Sequence, residues 1–541
     1  MPTRGEGEVS ERFLIIAADK ISASGLDPLT SDDRFEVVFT HDWDEDRFNE
    51  ALARAHGLIV RSATQVTREL LERAPNLRVV GRAGVGVDNI DIEAATERGI
   101  PVMNAPAGNT VSAAELTMAL ILATARKVAA ADRSIREGRW ERSRFAGTEL
   151  RGKTLALMGA GRIGGEVARR AQGFGMRTIA YDPYLTEERA AEIGLERVGF
   201  ETALARADVL TLHVPLTPQT EGMIGAEELA RMKPSAFLIN VARGGVVDEG
   251  ALARALCEGV IAGAALDVFA HEPLEDESPL RHAPNLVLTP HLGASTAEAQ
   301  ELVAEEIAEG VHDALLFGDL SRALNAPAIG GEALRRLRPL LVLARAIGRI
   351  AGALVQGGLR SVSVRLAGSE DDALKPVSAK VLEGLLGDIV GRDQVNYVNA
   401  SHLARARRIG VTTGSGPERP GYNDFLDVMV RAERGSVRVA GALLGDHQHP
   451  RLVRIDDYAL SVRPEGCILV LRNRDVPGVI GRVGTLLGEH GLNIAEYHQA
   501  RVNAGGDALA VVRVDGHVPP ALLEELRALD DIHSAHAVRV D

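Results

Sequence analysis

A chain of 541 residues is too long for one hydrophobic core, so three or four domains are expected. Its 45% hydrophobic and 25% charged residues are ordinary globular values, and a formal net charge of −14 argues against nucleic acid or an anionic membrane as the main partner. Two cysteines, Cys257 and Cys467, allow no disulfide framework and no zinc spacing and read as buried thiols in a reducing compartment.

Residues Met1 to Glu11 lack the apolar core of a signal peptide, and no segment approaches about 18 uninterrupted apolar residues, so a cytoplasmic protein without a membrane span is expected. Phe13 to Ala18, Phe35 to Phe39, Gly57 to Arg61 and Arg78 to Arg82 read as short apolar strands, with helical stretches at Asp44 to Ala55 and Thr67 to Ala74. Such alternation predicts a parallel sheet covered by helices. A long helix follows from Thr110 to Lys127, with Ser112 and Glu115 resembling a capping box. A second alternating run starts with the strand Thr154 to Met158 and ends near His291, and a helix from Thr296 to Phe317 carries the chain back to the first domain.

Asn325 to Gly331 reads as a linker. Beyond it lie a helix at Leu334 to Gly357, a strand at Val362 to Leu366, a charged turn at Ser369 to Asp372, a loop at Gly414 to Pro417 with Pro420-Gly421, and strands at Ser436 to Leu443 and Arg451 to Leu460. This region offers no catalytic constellation and reads as a structural or regulatory spacer. The last stretch gives a strand at Cys467 to Leu471 and a helix entered through Asp475-Val476-Pro477-Gly478 and running to Glu489. Strands at Asn493 to Val502 and Ala508 to Val514, a helix at Pro520 to Leu529 and a strand at His536 to Val540 complete a βαββαβ order.

The chemistry sits in the second run. Gly159-Ala160-Gly161-Arg162-Ile163-Gly164 lies between an apolar strand and a helix from Gly165 to Phe174, the context a dinucleotide fingerprint requires. Backbone N–H groups of such a turn approach a pyrophosphate, which rests on the positive end of the helix. Asp182 ends the next strand, where a carboxylate binds the adenosine ribose and favours NAD over NADP. Arg243, Glu272 and His291 each follow a strand: a guanidinium to grip a carboxylate, then an imidazole whose charged form a carboxylate stabilises. Arg61-Ser62 and the glycine-rich Gly81 to Asn89, with Gly84 at its turn, form a second constellation suited to substrate anions. Arg139, Arg142 and Arg144 around Trp140 read equally as a solvated helix end.

These segments resemble the D-3-phosphoglycerate dehydrogenases within the D-isomer-specific 2-hydroxyacid dehydrogenases. Val60 to Thr67, Gly81 to Asp91, Asn104 to Asn109, Gly138 to Glu149, Gly159 to Gly164, Asn240 to Asp248, Leu266 to Pro273 and Thr289 to Ala294 carry the likeness; the Arg243, Glu272, His291 order is specific to the superfamily. The tail is similar to an ACT domain, and Val395 to Ala400 belong to a stretch similar to the intervening domain of the long family members. The resemblance implies an α/β architecture of two Rossmann-like doubly wound parallel-sheet domains, followed by an α+β intervening domain (326–464) and a βαββαβ ACT domain (465–541). The substrate domain spans 1–106 and 296–325, and the NAD domain 107–295.

It further implies that Val85, Arg162, Ile163, Asp182, Val214, Val241, Ala242, Arg243, Asp267, His291, Gly293 and Ala294 contact NAD alongside the fingerprint glycines. Arg61, Ser62, Gly84 and Arg243 would bind 3-phosphoglycerate, with Arg142 reaching its phosphate in a neighbouring subunit of a homotetramer. His291 would take the C2 hydroxyl proton, steadied by Glu272. L-serine would act as effector near Asp475, Pro477, Gly478, Asn493 and Ile494. A dehydrogenase of another 2-hydroxy acid, such as glycerate or 2-hydroxyglutarate, and a non-catalytic NAD-sensing regulator stand as alternatives.

Overall fold

The computed structural model describes residues 12–368, 371–416, 422, 424–445 and 448–540. The N-terminal stretch Met1 to Glu11, Ser369 and Glu370 of the expected turn, and Pro417, Pro420 and Gly421 of the expected loop lie outside the described residues.

Five apolar runs form the first sheet: β1 (Phe13–Ala17), β2 (Phe35–Phe39), β3 (Gly57–Val60), β4 (Val79–Arg82) and β5 (Val102–Asn104), all parallel in the order β2-β1-β3-β4-β5. The order reverses between β1 and β3, so the turns after those two strands open on a ligand crevice. The second sheet holds β6 (Thr154–Met158), β7 (Arg177–Tyr181), β8 (Glu196–Arg197), β9 (Val209–Leu212), β10 (Phe237–Asn240), β11 (Gly263–Leu266) and β12 (Leu286–Leu288). Its strands are parallel in the order β12-β11-β10-β9-β6-β7-β8. Here the reversal lies between β6 and β9.

Two helices tie the sheets together. Thr110–Ala125 buries Ala114, Met118 and Ile121 in the core of the second sheet. Ala297–Phe317 returns to the first sheet, packing Val303, Ala304, Ile307 and Val311 with Ile15, Val79 and Met103. Ser112 does not cap the first of these helices. It lies inside the first turn, and its hydroxyl donates to the Gly293 carbonyl at 2.8 Å, while Glu115 pairs with Arg170 at 3.4 Å.

A six-stranded mixed sheet follows, ordered β14-β13-β15-β16-β17-β18, with β13 (Leu359–Ala367), β14 (Gly410–Ser415), β15 (Asp424–Ala432), β16 (Gly435–Leu444), β17 (His449–Ile455) and β18 (Tyr458–Val462). Gly414 and Ser415, expected in a loop, pair in register with Arg365 and Leu366 as the parallel edge of this sheet. The single strand expected at Arg451 to Leu460 is a hairpin instead. Asp456 turns the chain at φ +49°, and its carboxylate accepts from the Arg438 amide at 2.9 Å and from the Arg472 guanidinium. The closing antiparallel sheet, β20-β21-β19-β22, comprises β19 (Cys467–Arg474), β20 (Ile494–Arg501), β21 (Asp507–Val514) and β22 (Ile532–Arg539), with helices Val479–Glu489 and Pro520–Arg527. Cys467 is buried in its core, whereas Cys257, expected to be buried, is exposed at the end of the helix Glu249–Glu258.

The expected linker is pinned rather than loose. The Asn325 side chain accepts from the Val102 amide and donates to Thr96 Oγ1 and the Ile100 carbonyl, all at 2.9 Å. Beyond it the helices Gly331–Leu354 and Leu374–Val390 cross backbone to backbone: a Cβ at Gly348 would collide with the Val381 carbonyl, and one at Gly384 with the Arg345 carbonyl. Gly384→Val is therefore expected to lower stability by about 3 kcal/mol, read from the thermal unfolding midpoint, whereas valine at Gly173, whose Cβ position is open, should change little.

Candidate active site

The turn after β6 is built for close backbone approach. Gly159 sits at φ +93°, and a Cβ there would lie 2.5 Å from the His213 carbonyl after β9, across the point where the strand order reverses. Gly161 caps the helix Arg162–Gly173 without any side chain, and a Cβ there would meet nothing within 4 Å. The positive end of this helix is therefore left without a side-chain cap over its first-turn amides. Asp182 is anchored beside this turn, its two oxygens accepting from the Ala160 amide (2.9 Å) and the Tyr184 amide (2.8 Å). An uncapped helix start with a carboxylate at the end of the next strand fits a dinucleotide. Val214 packs beside Gly159, while Val241 and Ile163 belong to the core on which the helix Arg162–Gly173 rests.

His213 was not anticipated from sequence. It follows β9 directly, beside Gly159, is within 3.1 Å of Thr211 Oγ1, and burial pushes its pKa down to about 4, so the ring beside this turn is neutral.

His291 and Glu272, expected as base and partner, meet after β11 and β12. His291 Nδ1 lies 2.7 Å from Glu272 Oε2, and Glu272 Oε1 accepts from the Phe269 amide at 3.0 Å. His291 holds a left-handed backbone, φ +55°, and its amide donates to the Asp267 carbonyl at 2.8 Å. Asp267 organises the loop from within: it is fully buried and accepts from Thr289 Oγ1 (2.6 Å), the Leu292 amide (2.8 Å) and the Gly293 amide (2.9 Å). Burial pushes its carboxyl up, against the pull of those three donors. Ala294 follows in the same turn, with its neighbour Ser295 donating to the Leu292 carbonyl at 2.9 Å.

Three guanidiniums gather near one another, since the charges of Arg243 and Arg61 both act on Arg82. Arg243 Nε donates to Asp88 Oδ2 at 3.2 Å and its Nη1 to the Ala242 carbonyl at 2.7 Å, so the arginine bridges the two parallel sheets. Ala242 is itself held by Asn240, whose Oδ1 accepts its amide at 3.0 Å. Arg61 Nη1 donates to the Lys20 carbonyl at 2.9 Å, and Asp19 shapes the Arg61 to Thr64 turn by accepting the Arg61 amide (2.6 Å) and Thr64 Oγ1 (2.6 Å). Ser62 is exposed on that turn. Arg82, unassigned by sequence, lies between them: burial and then the charge of Arg243 press its pKa down to about 10, and its Nε has no hydrogen-bond partner among the described residues. Gly84 packs on this guanidinium, since a Cβ there would collide with Arg82 Nη1. Val85 is fixed by its carbonyl, which accepts from Asn104 Nδ2 at 2.6 Å.

Arg142 stands apart in the exposed turn Arg142–Phe145, and among the described residues it has no ion-pair partner. The effector candidates do not meet within one chain. Asp475 accepts from Arg501 Nη1 (3.0 Å) and the Gly505 amide (3.2 Å), and that cation holds its carboxyl below the usual range. Pro477 and Gly478 open the helix Val479–Glu489 beside it. Asn493 donates to Asp515 at 2.8 Å and Ile494 pairs with Val514, at the opposite end of an eight-residue strand. That places the two groups about 25 Å apart along the sheet.

Comparison with known proteins fixes the family. Residues 118–293 match the D-isomer specific 2-hydroxyacid dehydrogenase NAD binding domain, residues 336–456 the D-3-phosphoglycerate dehydrogenase intervening domain and residues 468–531 the ACT domain. The D-3-phosphoglycerate dehydrogenase of Archaeoglobus fulgidus is 40% identical, covering 97% of this chain and 100% of that protein. That of Mycobacterium tuberculosis is 41% identical over 98% and 97%. The chain belongs to the D-3-phosphoglycerate dehydrogenase family. Among solved structures, a Thermus thermophilus protein superposes with a TM-score of 0.51 at 37% identity, covering 56% of this chain and 97% of that one. Aquifex aeolicus D-lactate dehydrogenase, complexed with NAD and lactic acid, gives 0.50 at 29% identity over 57% and 97%.

The protein is accordingly an NAD-dependent oxidoreductase, and among its described residues no helix is long and apolar enough to cross a membrane. With the dinucleotide turn and Asp182 adjoining, Asp182→Ala is expected to lower kcat/KM for NAD by roughly 10–100-fold, the loss of hydrogen bonds to a charged acceptor. NADP should lose far less, so the ratio of the two specificity constants reads the role of this carboxylate.

Proposed function

We propose that this enzyme oxidises 3-phospho-D-glycerate to 3-phosphohydroxypyruvate, the first step of phosphorylated L-serine biosynthesis, as a cytoplasmic homotetramer with residues 12–106 and 296–325 forming the substrate side of the cleft. The observation that supports this most is the clustering of Arg61, Arg82 and Arg243 in a chain that also holds the His291–Glu272 pair. A 2-hydroxy acid alone needs one such cation; a second anionic group explains the other two. Arg243 and the Gly84 turn take the carboxylate and C2 oxygen. Arg61, Ser62 and Arg82 take the phosphate, joined by Arg142 of a neighbouring subunit. His291 accepts the C2 hydroxyl proton through Nε2, because Nδ1 is engaged by Glu272. Bound NAD supplies the acceptor for the C2 hydride.

NADH formation across a panel of 3-phosphoglycerate, D-glycerate and D-2-hydroxyglutarate tests the reading. The phosphate ester should win in kcat/KM by about a hundredfold or more, since the guanidiniums meet no second anion in D-glycerate. Comparable turnover of D-2-hydroxyglutarate overturns it. The ACT domain adds feedback by L-serine, and the separation of Asp475 from Asn493 suits a ligand clasped between two copies of the chain. Millimolar L-serine should depress the initial rate; an enzyme indifferent to it in several buffers lacks this control.

A further inference from the structure

Between the two halves of the molecule lies a cavity of about 1000 Å³ that the chemistry above does not use. Its walls are the end of the helix Ala297–Phe317, the connecting segment and the long helix Gly331–Leu354. Arg335, Arg338 and Arg345 line it from one stripe of that helix. Arg335 and Arg338, three residues apart, stand about 5–6 Å from each other at Cβ, and Arg345 lies about 10 Å further along the axis. Lys380 adds a fourth cation from the neighbouring helix.

These cations are not equally engaged. Lys380 and Arg345 share Glu383, at 2.6 and 3.9 Å. Arg335 and Arg338 are exposed and have no ion-pair or hydrogen-bond partner among the described residues. The two carboxylates on the wall are committed elsewhere: Asp319 accepts from the Ser321 amide (2.9 Å) and the Gly331 amide (2.7 Å), and Asp313 faces His312 Nδ1 at 3.0 Å. The wall also carries apolar side chains, among them Leu316 and a largely exposed Phe317.

We propose that this hinge cavity is a binding site for a small phosphate monoester carrying an apolar body. Two adjacent unpaired guanidiniums match the oxygens of one phosphate, and Phe317 offers a surface for the ester group. An occupant touches both the catalytic half and the helix that leads into the regulatory half, so it holds the two in one arrangement.

Isothermal titration of full-length, NAD-saturated Arg61→Gln/Arg82→Gln protein with phenyl phosphate tests this, the two substitutions stripping the catalytic cleft of the guanidiniums that its own subunit gives to the phosphate. One site per chain is expected, tighter for phenyl phosphate than for inorganic phosphate. Adding Arg335→Gln and Arg338→Gln should weaken binding about tenfold or more with the thermal midpoint unchanged, because both side chains are exposed. A titration without heat, unchanged affinity after the two substitutions, or equal affinity for inorganic phosphate overturns the proposal.

Discussion

Replacing His291 by asparagine is expected to lower kcat about 10²–10⁴-fold while leaving the KM for NAD and the unfolding temperature near those of the parent enzyme. Asparagine is the informative substitution because position 291 holds φ +55°, a conformation that asparagine tolerates and that alanine adopts at a cost. The anchoring amide contact to the Asp267 carbonyl is backbone and survives the change. What disappears is the lone pair that takes the hydroxyl proton. Glu272→Gln should cost a comparable factor by a different route. One side-chain oxygen of Glu272 accepts from the Phe269 amide and the other faces His291 Nδ1. A glutamine that keeps the first contact turns its NH2 toward the ring, which forces the proton onto Nε2 and removes the base. Near-normal kcat in either variant, measured at saturating substrate and NAD, rules out His291 as the proton acceptor.

The parts of this site that were readable in advance share one property: they lie at the carboxyl ends of apolar parallel strands. A strand buried on both faces is a short continuous apolar run, and the residue after it opens on the crevice, so Asp182, Arg243 and His291 could be located from pattern alone. Arg82 ends β4 in the same way, but it sits in a glycine-rich turn, and nothing local distinguishes a guanidinium buried between two others from one in solvent. Asp19 and His213 act through backbone groups distant in sequence, which no spacing encodes. The helix Leu374–Val390 escaped because it packs on both a helix and a sheet; apolar residues run around it and the one-sided periodicity is lost. The hairpin at Asp456 escaped because its turn carries no glycine or proline, only an aspartate in the left-handed region held by two arginines.

Arg243→Ala is expected to cut kcat/KM for 3-phosphoglycerate about 10²–10³-fold, the range for truncating one partner of a hydrogen-bonded charge pair. The geometry explains why lysine should restore only a small part. Arg243 uses Nε on Asp88 and Nη1 on the Ala242 carbonyl, so the fork is held in a fixed plane with Nη2 turned to the Gly86 backbone, where a Cβ would collide with it. A lysine ammonium keeps the charge but cannot make these contacts and face a carboxylate at once. Asp88 lies in the turn after β4 and Arg243 in the loop after β10, so the side chain proposed to grip the substrate also ties the first domain to the second. Loss of binding to the ground state alone would raise KM and spare kcat; loss of a contact that polarises C2 lowers kcat as well. Steady-state kinetics of the alanine and lysine variants separate these, and a lysine variant with full kcat/KM would show that the planar fork of Arg243 is not needed.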